Sequence, residues 1–480
     1  EDGRTLTGTD PVTALITLQN LGADAVGCNC STGPEAMVEI IRQMKPYSKV
    51  PLIAKPNAGL PKLVNNKTVF DMSPETFGSF VKPLIEAGVN IIGGCCGTSW
   101  EYIKQIKENV SGLTPLLPAS CQGSILSSAR KTVKIGPSKP ITIVGERINP
   151  TGKKVLQQEL KDGKTAEIRR LALEQVEKGA SVLDVNVGMG GIDEKEAMIK
   201  AVNTLSVAVD VPLCFDSSNI DVLEAAMRIY PGRALINSIS LEKHKIEKLL
   251  PLAHKYGAMF IALPLDDNGI PSSFEQKADN LEKIFREAQK YGYLKEDIVA
   301  DGLVMTVSSN QSAAMDTLRF IEWCSNEFGC NTILGLSNIS FGLPERSLIN
   351  TAFFAMAAGN GLTMAIANPS NEMLMNIKYA CEVLTGSDAN SLRYIHRFSA
   401  ADSKHDNQSS NNTGTGNNED THNIGGKIYD AVLNGDKDNI TALVTAALDS
   451  GIGAQSIVDD FLIPAINRVG DLFEERKYFL

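Results

Sequence analysis

Two adjacent cysteines end an apolar run in the stretch VNIIGGCCGTSW, residues 89–100. Thiolates bind Zn²⁺ well, and a catalytic zinc site usually takes three protein ligands and leaves a fourth position open. Cys95 and Cys96 can supply two of the three. An earlier run, ADAVGCNC, also ends in cysteines. Because Cys28 and Cys30 are two residues apart on a strand and share a face, spacing does not choose between them as the third ligand.

Acidic and amide side chains stand at the ends of six of the eight later apolar runs. They are Glu146, Asn149, Asp184, Asn186, Asp216, Asn237, Asp301 and Asn338. A ring of carboxylates and amides without a matching set of basic residues suits an uncharged heterocycle rich in N–H and C=O groups. Single members such as Asn149 or Asn186 can instead cap the helix that follows. Capping does not account for the whole ring, so we predict a binding site.

The apolar runs predict an α/β fold built from (β/α)8 TIM-type barrels. Three early runs, ADAVGCNC, PLIAKPNAG and VNIIGGCCG, alternate with helical patterns, but three strands are too few to close a barrel. Eight later runs alternate with helices and predict a complete barrel. In such barrels the working residues lie at the carboxyl ends of the strands, where both sets of side chains fall.

The same patterns predict how the chain divides. We expect the carboxyl-terminal part of a first, incomplete barrel over residues 1–116, a connection over 117–139, the complete barrel over 140–397, a flexible linker over 398–426, and the start of a truncated helical-bundle cap over 427–480. The linker is rich in Asn, Ser, Gly and Thr, a composition that buries too little apolar surface to order itself. The chain begins without Met and stops inside a helical pattern, so we expect a fragment.

Composition excludes several classes of partner. The formal charge is −10, from 46 basic and 56 acidic residues. The sequence has no cluster of Lys and Arg that could contact a phosphate backbone, so we expect no nucleic-acid partner. No apolar run reaches the roughly 20 residues that span a bilayer, so we expect no membrane partner. Nine cysteines without a secretory signal are typical of reduced thiols, which predicts a cytoplasmic location.

The cysteine motifs resemble a known family. GCNC followed by GGCCGT is similar to the zinc-dependent homocysteine S-methyltransferase domain, in which a G-x-N-C strand end and a later G-G-C-C-G-T supply three thiolates. The resemblance implies that Cys30, Cys95 and Cys96 bind zinc and that Cys28 is an additional thiol. It also implies homocysteine as a substrate whose sulfur the metal activates.

The second set of motifs resembles the pterin-binding barrel of methyltetrahydrofolate-dependent methyltransferases. The motifs are VGERINPTGKK, LDVNVG, FDSSN, PGRALINSIS and GLSNISFGLPERS, and the resemblance spans most of residues 140–385. It implies that the pterin edge is held by Glu146, Asp216, Asn237 and Asp301, with support from Asn149, Asp184 and Asn186. The loop with Thr151, Gly152 and Lys153 would flank the site, and Arg346 would be a folate contact. Asn338, near the methyl-bearing N5, and Asp301 are the catalytic candidates.

The end of the chain, LIPAINRVGDLFEERKYFL, resembles the helical cap that precedes a corrinoid-binding domain. The string D-x-H-x-x-G, whose histidine can bind cobalt, does not follow this cap in the chain and matches only DTHNIG inside the predicted linker, so we expect cobalamin to be bound mainly by segments beyond the chain. The order of the three motif groups resembles the family of cobalamin-dependent methionine synthases. It implies methyl transfer from 5-methyltetrahydrofolate through cobalamin to zinc-activated homocysteine. We expect that the chain alone does not form methionine.

Three alternatives stay open. A methyltetrahydrofolate:corrinoid-protein methyltransferase uses a pterin barrel alone, but it does not need the thiol motifs. A pterin- or zinc-binding protein without activity would fit a degenerate first barrel. A dinucleotide-dependent oxidoreductase is disfavoured, because VGMGGID at residues 187–193 lacks the final glycine of G-x-G-x-x-G.

Overall fold

The computed structural model describes residues 3–120, 122–271, 273–405, 424–433, 435–436, 439–450 and 452–474. Its contacts divide the chain into two compact units, residues 1–391 and 392–480. The first unit holds both sets of predicted site residues.

The first unit begins with a three-stranded parallel sheet. Its strands are β1 (Val26–Asn29), β2 (Leu52–Lys55) and β5 (Val89–Ile92), in the order β1-β2-β5, and a separate antiparallel pair is formed by β3 (Lys62–Val64) and β4 (Lys67–Val69). The helices are α1 (Pro11–Asn20), α2 (Pro34–Met44), α3 (Pro74–Ser79), α4 (Val81–Ala87) and α5 (Trp100–Asn109), with a 3-10 turn at Lys45–Tyr47. The three predicted early strands therefore form, with β2 in the middle.

Helix α2 illustrates how this segment builds its core. Proline stands at its first position, where a missing N–H costs nothing. Met37, Ile41 and Met44 recur at helical spacing and bury against Leu52 of β2. This packing holds the strands so that β1 and β5 end on either side of β2.

Eight parallel strands close into a barrel, which confirms the prediction of a complete barrel. They are β8 (Thr142–Ile148), β9 (Val182–Val185), β10 (Leu213–Asp216), β11 (Leu235–Ser240), β12 (Met259–Leu263), β13 (Ile298–Asp301), β14 (Asn331–Gly335) and β15 (Met364–Ala367). Each strand pairs with its neighbour along the chain, and β15 pairs with β8.

Helices surround the barrel. They are α6 (Lys154–Lys161), α7 (Ala166–Glu177), α8 (Glu194–Ala208), α9 (Ile220–Ile229), α10 (Lys243–Lys255), α11 (Phe274–Gln289), α12 (Ala313–Trp323), α13 (Arg346–Gly359) and α14 (Glu372–Leu384), with short 3-10 or π turns at Lys295–Asp297, Cys324–Phe328, Leu336–Ser340 and Ala389–Ser391. Apolar side chains between these helices and the strands form the largest cluster of buried residues. The polar side chains at the carboxyl ends of the strands lie outside this cluster, at the rim of the barrel.

A β-hairpin packs against the amino-terminal end of the barrel, in the segment that we predicted only as a connection. Its strands are β6 (Ser124–Ser127) and β7 (Thr132–Ile135). Leu126 and Ile135 join the cluster that fills the barrel interior. The hairpin was not predicted because each strand has only four residues, too few for an alternation such as that of TVKI to be distinctive.

Arg233, which is 2% exposed, binds this hairpin to the barrel. It forms an ion pair of 2.6 Å with the Asp297 carboxylate and donates to the carbonyl oxygens of Ile125 and Gly257 at 3.1 and 2.9 Å. A buried charge persists only where it is paired and hydrogen-bonded, and this guanidinium is both. The hairpin is thus an integral part of the barrel domain.

The second unit is helical. Its described helices are α15 (Leu392–His405), α16 (Ile424–Leu433), α17 (Ile440–Asp449), α18 (Ala454–Ser456) and α19 (Ile463–Glu474), with a π-helical turn at Ile457–Leu462 between the last two. Ile428, Ala447 and Ile457 form its buried core. Within the described part of the chain, every helix is too short or too polar to cross a membrane.

The predicted linker over residues 398–426 overlaps a helix at each of its ends. Residues 399–405 continue α15, because the alanines in SAADSKH favour a helix, and residues 424–426 already belong to α16. The remainder, residues 406–423, lies outside the described residues.

Candidate functional site

Three thiols converge at the end of the first sheet. The Sγ atoms of Cys30, Cys95 and Cys96 all lie within 4.8 Å of one another, and those of Cys30 and Cys96 are 3.6 Å apart. Cys30 directly follows β1, and the other two lie three and four residues after β5. The structure therefore brings together the three cysteines that the sequence resemblance named.

The backbone around these thiols is fixed by strand β2, which lies between the other two. The amide of Cys30 donates to the Lys55 carbonyl at 3.1 Å, and the amide of Cys95 donates to the Pro56 carbonyl at 2.9 Å. The buried Asn57 side chain accepts from the amide of Cys96 at 3.2 Å. Each thiol-bearing loop is therefore held on the same central segment.

Left-handed backbone at two positions turns the thiols toward each other. Cys30 has φ 62°, a conformation that is uncommon for a residue other than glycine and that often marks a functional site. Gly97 has φ 80°, and a Cβ there would approach the Phe70 ring to 2.4 Å. Because Cys30 has left the strand geometry, it no longer shares the environment of Cys28.

Cys28 instead packs beside the apolar core of the first sheet. Burial raises the pKa of its thiol to about 11. At Cys95, a side-chain hydrogen bond from Asn29, with Nδ2 3.8 Å from Sγ, lowers the thiol pKa, whereas the neighbouring Cys30 raises that of Cys96. Close thiols oppose each other's ionisation, and a cation between them would remove this opposition.

The arrangement fits zinc. With Zn–S bonds of about 2.3 Å and tetrahedral angles, two thiolates on one zinc ion lie about 3.8 Å apart. The Cys30–Cys96 separation of 3.6 Å is close to this value. Three cysteines would leave one tetrahedral position open, which is the pattern of catalytic rather than structural zinc sites.

A polar cleft of about 740 Å³ opens at the carboxyl end of the complete barrel. Of the predicted residues, ten line it: Glu146, Asn149, Thr151, Lys153, Asp184, Asp216, Asn237, Asp301, Asn338 and Arg346. Gly152 and Asn186 do not. Gly152 occupies the turn after β8 with φ 72°, and the amide of Asn186 donates to the Asp216 carboxylate at 2.9 Å. Asn186 thus supports a lining residue.

The acids of the cleft are oriented by amides and hydroxyls. The Asn237 amide donates to Asp184 at 3.2 Å, and the Ser337 hydroxyl donates to Glu146 at 3.2 Å. Asp301 accepts from the backbone N–H of Leu303 at 2.9 Å. These contacts leave carboxylate oxygens that can accept further hydrogen bonds from a ligand.

Burial raises the pKa of every acid in this ring. It raises that of Asp184 to about 7, with the nearby Asp216 adding to the effect, and that of Asp301 to about 6. It also raises the pKa of Glu146 and Asp216. Acids that are poised near neutral pH in a cleft are typical of functional sites, since they can hold or release a proton there.

The mouth of the cleft carries the basic groups. Lys153 Nζ donates to the Asn149 carbonyl at 3.0 Å, and Arg346 donates to the Ser337 carbonyl at 2.7 Å and to the Ser340 hydroxyl at 3.1 Å. Asn338 projects from the turn after β14, next to Gly335, where a Cβ would approach its Nδ2 to 3.0 Å. The cleft therefore combines acids at several strand ends with the cations Arg147, Lys153 and Arg346.

Several lining residues were missed by the sequence analysis. They are Arg147, Ser337, Ser347, Asn350, Asn368 and Asn371. Asn368 directly follows β15, so the strand-end rule that found the other amides applies to it as well. Ser347 and Asn350 lie on α13, and no pattern along the chain distinguishes them from ordinary helix residues.

Three family models match the chain. The model described as pterin binding enzyme matches residues 145–368, that of homocysteine S-methyltransferase matches residues 1–110, and that of a B12 binding domain matches residues 426–480. The first covers the barrel strands and the cleft, and the second covers the three thiols.

Curated relatives match most of the chain. A methionine synthase of Mycobacterium leprae (strain TN) is 29% identical over 406 residues, and one of Mycobacterium tuberculosis (strain ATCC 25618 / H37Rv) is 28% identical over 389 residues. Each match covers 78% of this chain and 33% of the relative, so the chain spans about one third of their length. Among solved structures, 7,8-dihydropteroate synthase from Vibrio fischeri ES114 is 17% identical with a TM-score of 0.43, covering 54% of this chain and 97% of that one.

The raised pKa of Asp184 predicts a pH-dependent stability. Because its folded pKa of about 7 lies above the unfolded value, its contribution to stability is complete in acid and is lost as pH rises through 7. Asp184→Asn should therefore raise the free energy of unfolding at pH 8 by on the order of 1–3 kcal/mol and have a smaller effect at pH 5. Urea unfolding at both pH values checks this.

The exposed acid Glu247 supplies the control, as Glu247→Gln should change stability little at either pH. An equal effect of Asp184→Asn at pH 5 and pH 8 would contradict a buried, proton-holding Asp184.

Proposed function

We propose that this chain, a relative of the cobalamin-dependent methionine synthases over its three matched segments, takes part in methyl transfer from 5-methyltetrahydrofolate to homocysteine. The products would be tetrahydrofolate and methionine. The observation that carries the proposal is the presence in one chain of a three-thiol cluster and an acid-and-amide cleft, each at the carboxyl ends of parallel strands.

The cleft suits a pterin. The ring offers N–H groups and an exocyclic amine along one edge, and carboxylates are the strongest acceptors for such donors. Asp216, Asn237 and Asp301 lie on strands β10, β11 and β13 and line the same cleft. Arg346 and Lys153 at the mouth would meet the negatively charged glutamate tail of the folate.

Transfer breaks the bond between N5 and the methyl carbon, and N5 must gain a proton to leave as a neutral amine. We infer that Asn338 hydrogen-bonds N5, since a side-chain amide can donate to or accept from a group whose protonation changes. Asp301, whose pKa is raised to about 6, would hold the pterin while its neighbours exclude water. Asp184 and Asp301, whose pKa values are raised to about 7 and about 6, are the acids of the cleft that could supply this proton.

At the thiol cluster, Cys30, Cys95 and Cys96 would hold zinc, which when bound supplies the positive charge that deprotonates the homocysteine thiol near neutral pH. No side chain is then required as a general base. The hydrogen bond from Asn29 to Cys95 would keep this ligand oriented. The three cysteines would thus hold the homocysteine sulfur as a thiolate at the end of the first sheet, where it could accept the methyl group.

Cobalamin would carry the methyl group between the two sites. The second unit leaves Leu448, Val458, Ile463 and Ile466 exposed, and apolar side chains on helices suit contact with the face of a corrin ring. Part of the contact would come from this unit, and the cobalt itself would be bound mainly by segments beyond this chain.

A methyltetrahydrofolate:corrinoid-protein methyltransferase is the second candidate function. It would use the pterin cleft alone, and the separation of the two sites into independent strand sets allows it. The thiol cluster weighs against it, because that reaction activates no thiol.

The thiol cluster predicts the outcome of metal analysis. Wild-type protein should bind about one zinc ion per chain, and Cys30→Ser, Cys95→Ser or Cys96→Ser should each weaken zinc binding at least tenfold, since three ligands share the metal. Cys28→Ser is the matched control, because its side chain packs in the core, and it should retain zinc. Zinc retained by Cys30→Ser and lost by Cys28→Ser would reverse the assignment.

The cleft predicts the effect of removing one carboxylate. Asp216→Asn should weaken 5-methyltetrahydrofolate binding by about 1–3 kcal/mol, because a ligand N–H then loses its acceptor or meets a donor. Isothermal titration calorimetry measures this directly. Asp221→Asn, five residues away but exposed at the start of α9, should bind as wild type does. Equal affinities for all three proteins would exclude the cleft as the pterin site.

A further inference from the structure

A buried lysine lies beneath the Asp301 loop. Lys277, on helix α11, is 6% exposed, and its Nζ donates to the carbonyl oxygen of Gly302 at 3.1 Å and lies 3.5 Å from that of Leu303. An ammonium group is costly to bury unless it is hydrogen-bonded and compensated by negative charge. For Lys277 the compensating negative charge comes from nearby carboxylates.

Two acids interact electrostatically with Lys277: Asp301 at the end of β13 and Asp316 on α12. Among the described residues, Lys277 is the only cation whose charge lowers the pKa of Asp301. The cleft itself is lined by the acids Glu146, Asp184 and Asp216 and by three cations whose charges act on Glu146, namely Arg147, Lys153 and Arg346. Lys277 is the positive charge that compensates the negative charge of Asp301.

The loop that this lysine holds has a strained backbone. Leu303 has φ 48°, in the left-handed region that is costly for a branched side chain. A Cβ at the preceding Gly302 would approach Leu334 to 2.7 Å and Thr317 to 2.9 Å, so this position has no room for a side chain. The turn aims the Leu303 N–H at the Asp301 carboxylate, 2.9 Å away.

We propose that Lys277 is a positioning residue for pterin binding: by holding the carbonyls of residues 302 and 303 it maintains the left-handed turn that orients Asp301. Its charge also keeps the Asp301 carboxylate ionised and able to accept hydrogen bonds. The role in pterin binding rests on the proposed function, but the effect on Asp301 does not. Lys277 itself lies behind the loop and is not among the residues that line the cleft.

The test compares Lys277→Met, which keeps the length and removes the charge, with Lys277→Arg, which keeps the charge. Lys283→Met is the matched control on the same helix, where Lys283 is half exposed and pairs with Asp279. Carboxyl ¹³C NMR of the ligand-free full chain, with the Asp301 signal assigned through Asp301→Asn, follows the titration of Asp301.

In Lys277→Met the pKa of Asp301 should move upward, because the opposing charge is gone. Lys277→Arg should remain near wild type, and Lys283→Met should not change. Binding of 5-methyltetrahydrofolate at pH 7 should weaken roughly tenfold in Lys277→Met, with the acid limb of its pH profile displaced to higher pH. If Lys277 were only structural, its replacement by Met would lower thermal stability but would leave the NMR titration of Asp301 and the pH profile of ligand binding unchanged.

An unchanged Asp301 titration in Lys277→Met would overturn the proposal. If that variant does not fold, Lys277→Gln provides the same comparison with an uncharged polar group. Failure of the wild-type protein to bind 5-methyltetrahydrofolate would contradict the proposed function, while the ligand-free NMR comparison would still decide the role of Lys277.

Discussion

Closure of the parallel sheet is the constraint on which the rest of the structure depends. Because all eight strands run in one direction and β15 pairs with β8, the backbone leaves no unpaired edge and every strand ends at the same rim. Residues that are far apart along the chain, such as Glu146 and Asn338, thereby line one cleft. The interior is filled by apolar side chains and by Leu126 and Ile135 of the hairpin, so polar groups gather at the rim.

Closure of the barrel also brings several acids together in the cleft, and their ionisation there is electrostatically unfavourable. Four acids are held close to one another in a partly buried space, and burial raises the pKa of each. The fold offsets this cost locally, through Asn186 on Asp216, Asn237 on Asp184 and Lys277 behind Asp301. Under the proposed function, a pterin that donates hydrogen bonds to these groups would offset the rest of this cost.

The thiol site follows the same logic on a smaller sheet. Three strands place two loops on either side of β2, and hydrogen bonds to residues 55–57 fix both. Thiols held this close oppose one another's ionisation until a cation joins them. Under the proposed function, the unfavourable electrostatics of each site would be relieved by its ligand, a cation at the thiols and N–H groups at the cleft.

Sequence patterns predicted the strands well, because continuous apolar runs between helices are a strong signal for a parallel sheet. They also located most of the rim, since strand ends can be identified along the chain. They did not choose between Cys28 and Cys30 by spacing, because the choice depends on the left-handed turn at Cys30. The Lys277 contact runs through backbone carbonyls 25 residues away, which no residue pattern encodes.

The central claim is that the barrel rim binds methyltetrahydrofolate and releases its methyl group to a cobalt nucleophile. An anaerobic assay with this chain, methyl-labelled 5-methyltetrahydrofolate and free cob(I)alamin tests it directly. The account predicts that label moves to the corrinoid at a rate proportional to the chain concentration, that Asn338→Ala greatly slows this transfer, and that Cys30→Ser leaves it intact. Transfer no faster than in the protein-free mixture, while calorimetry shows the pterin bound, would contradict the account.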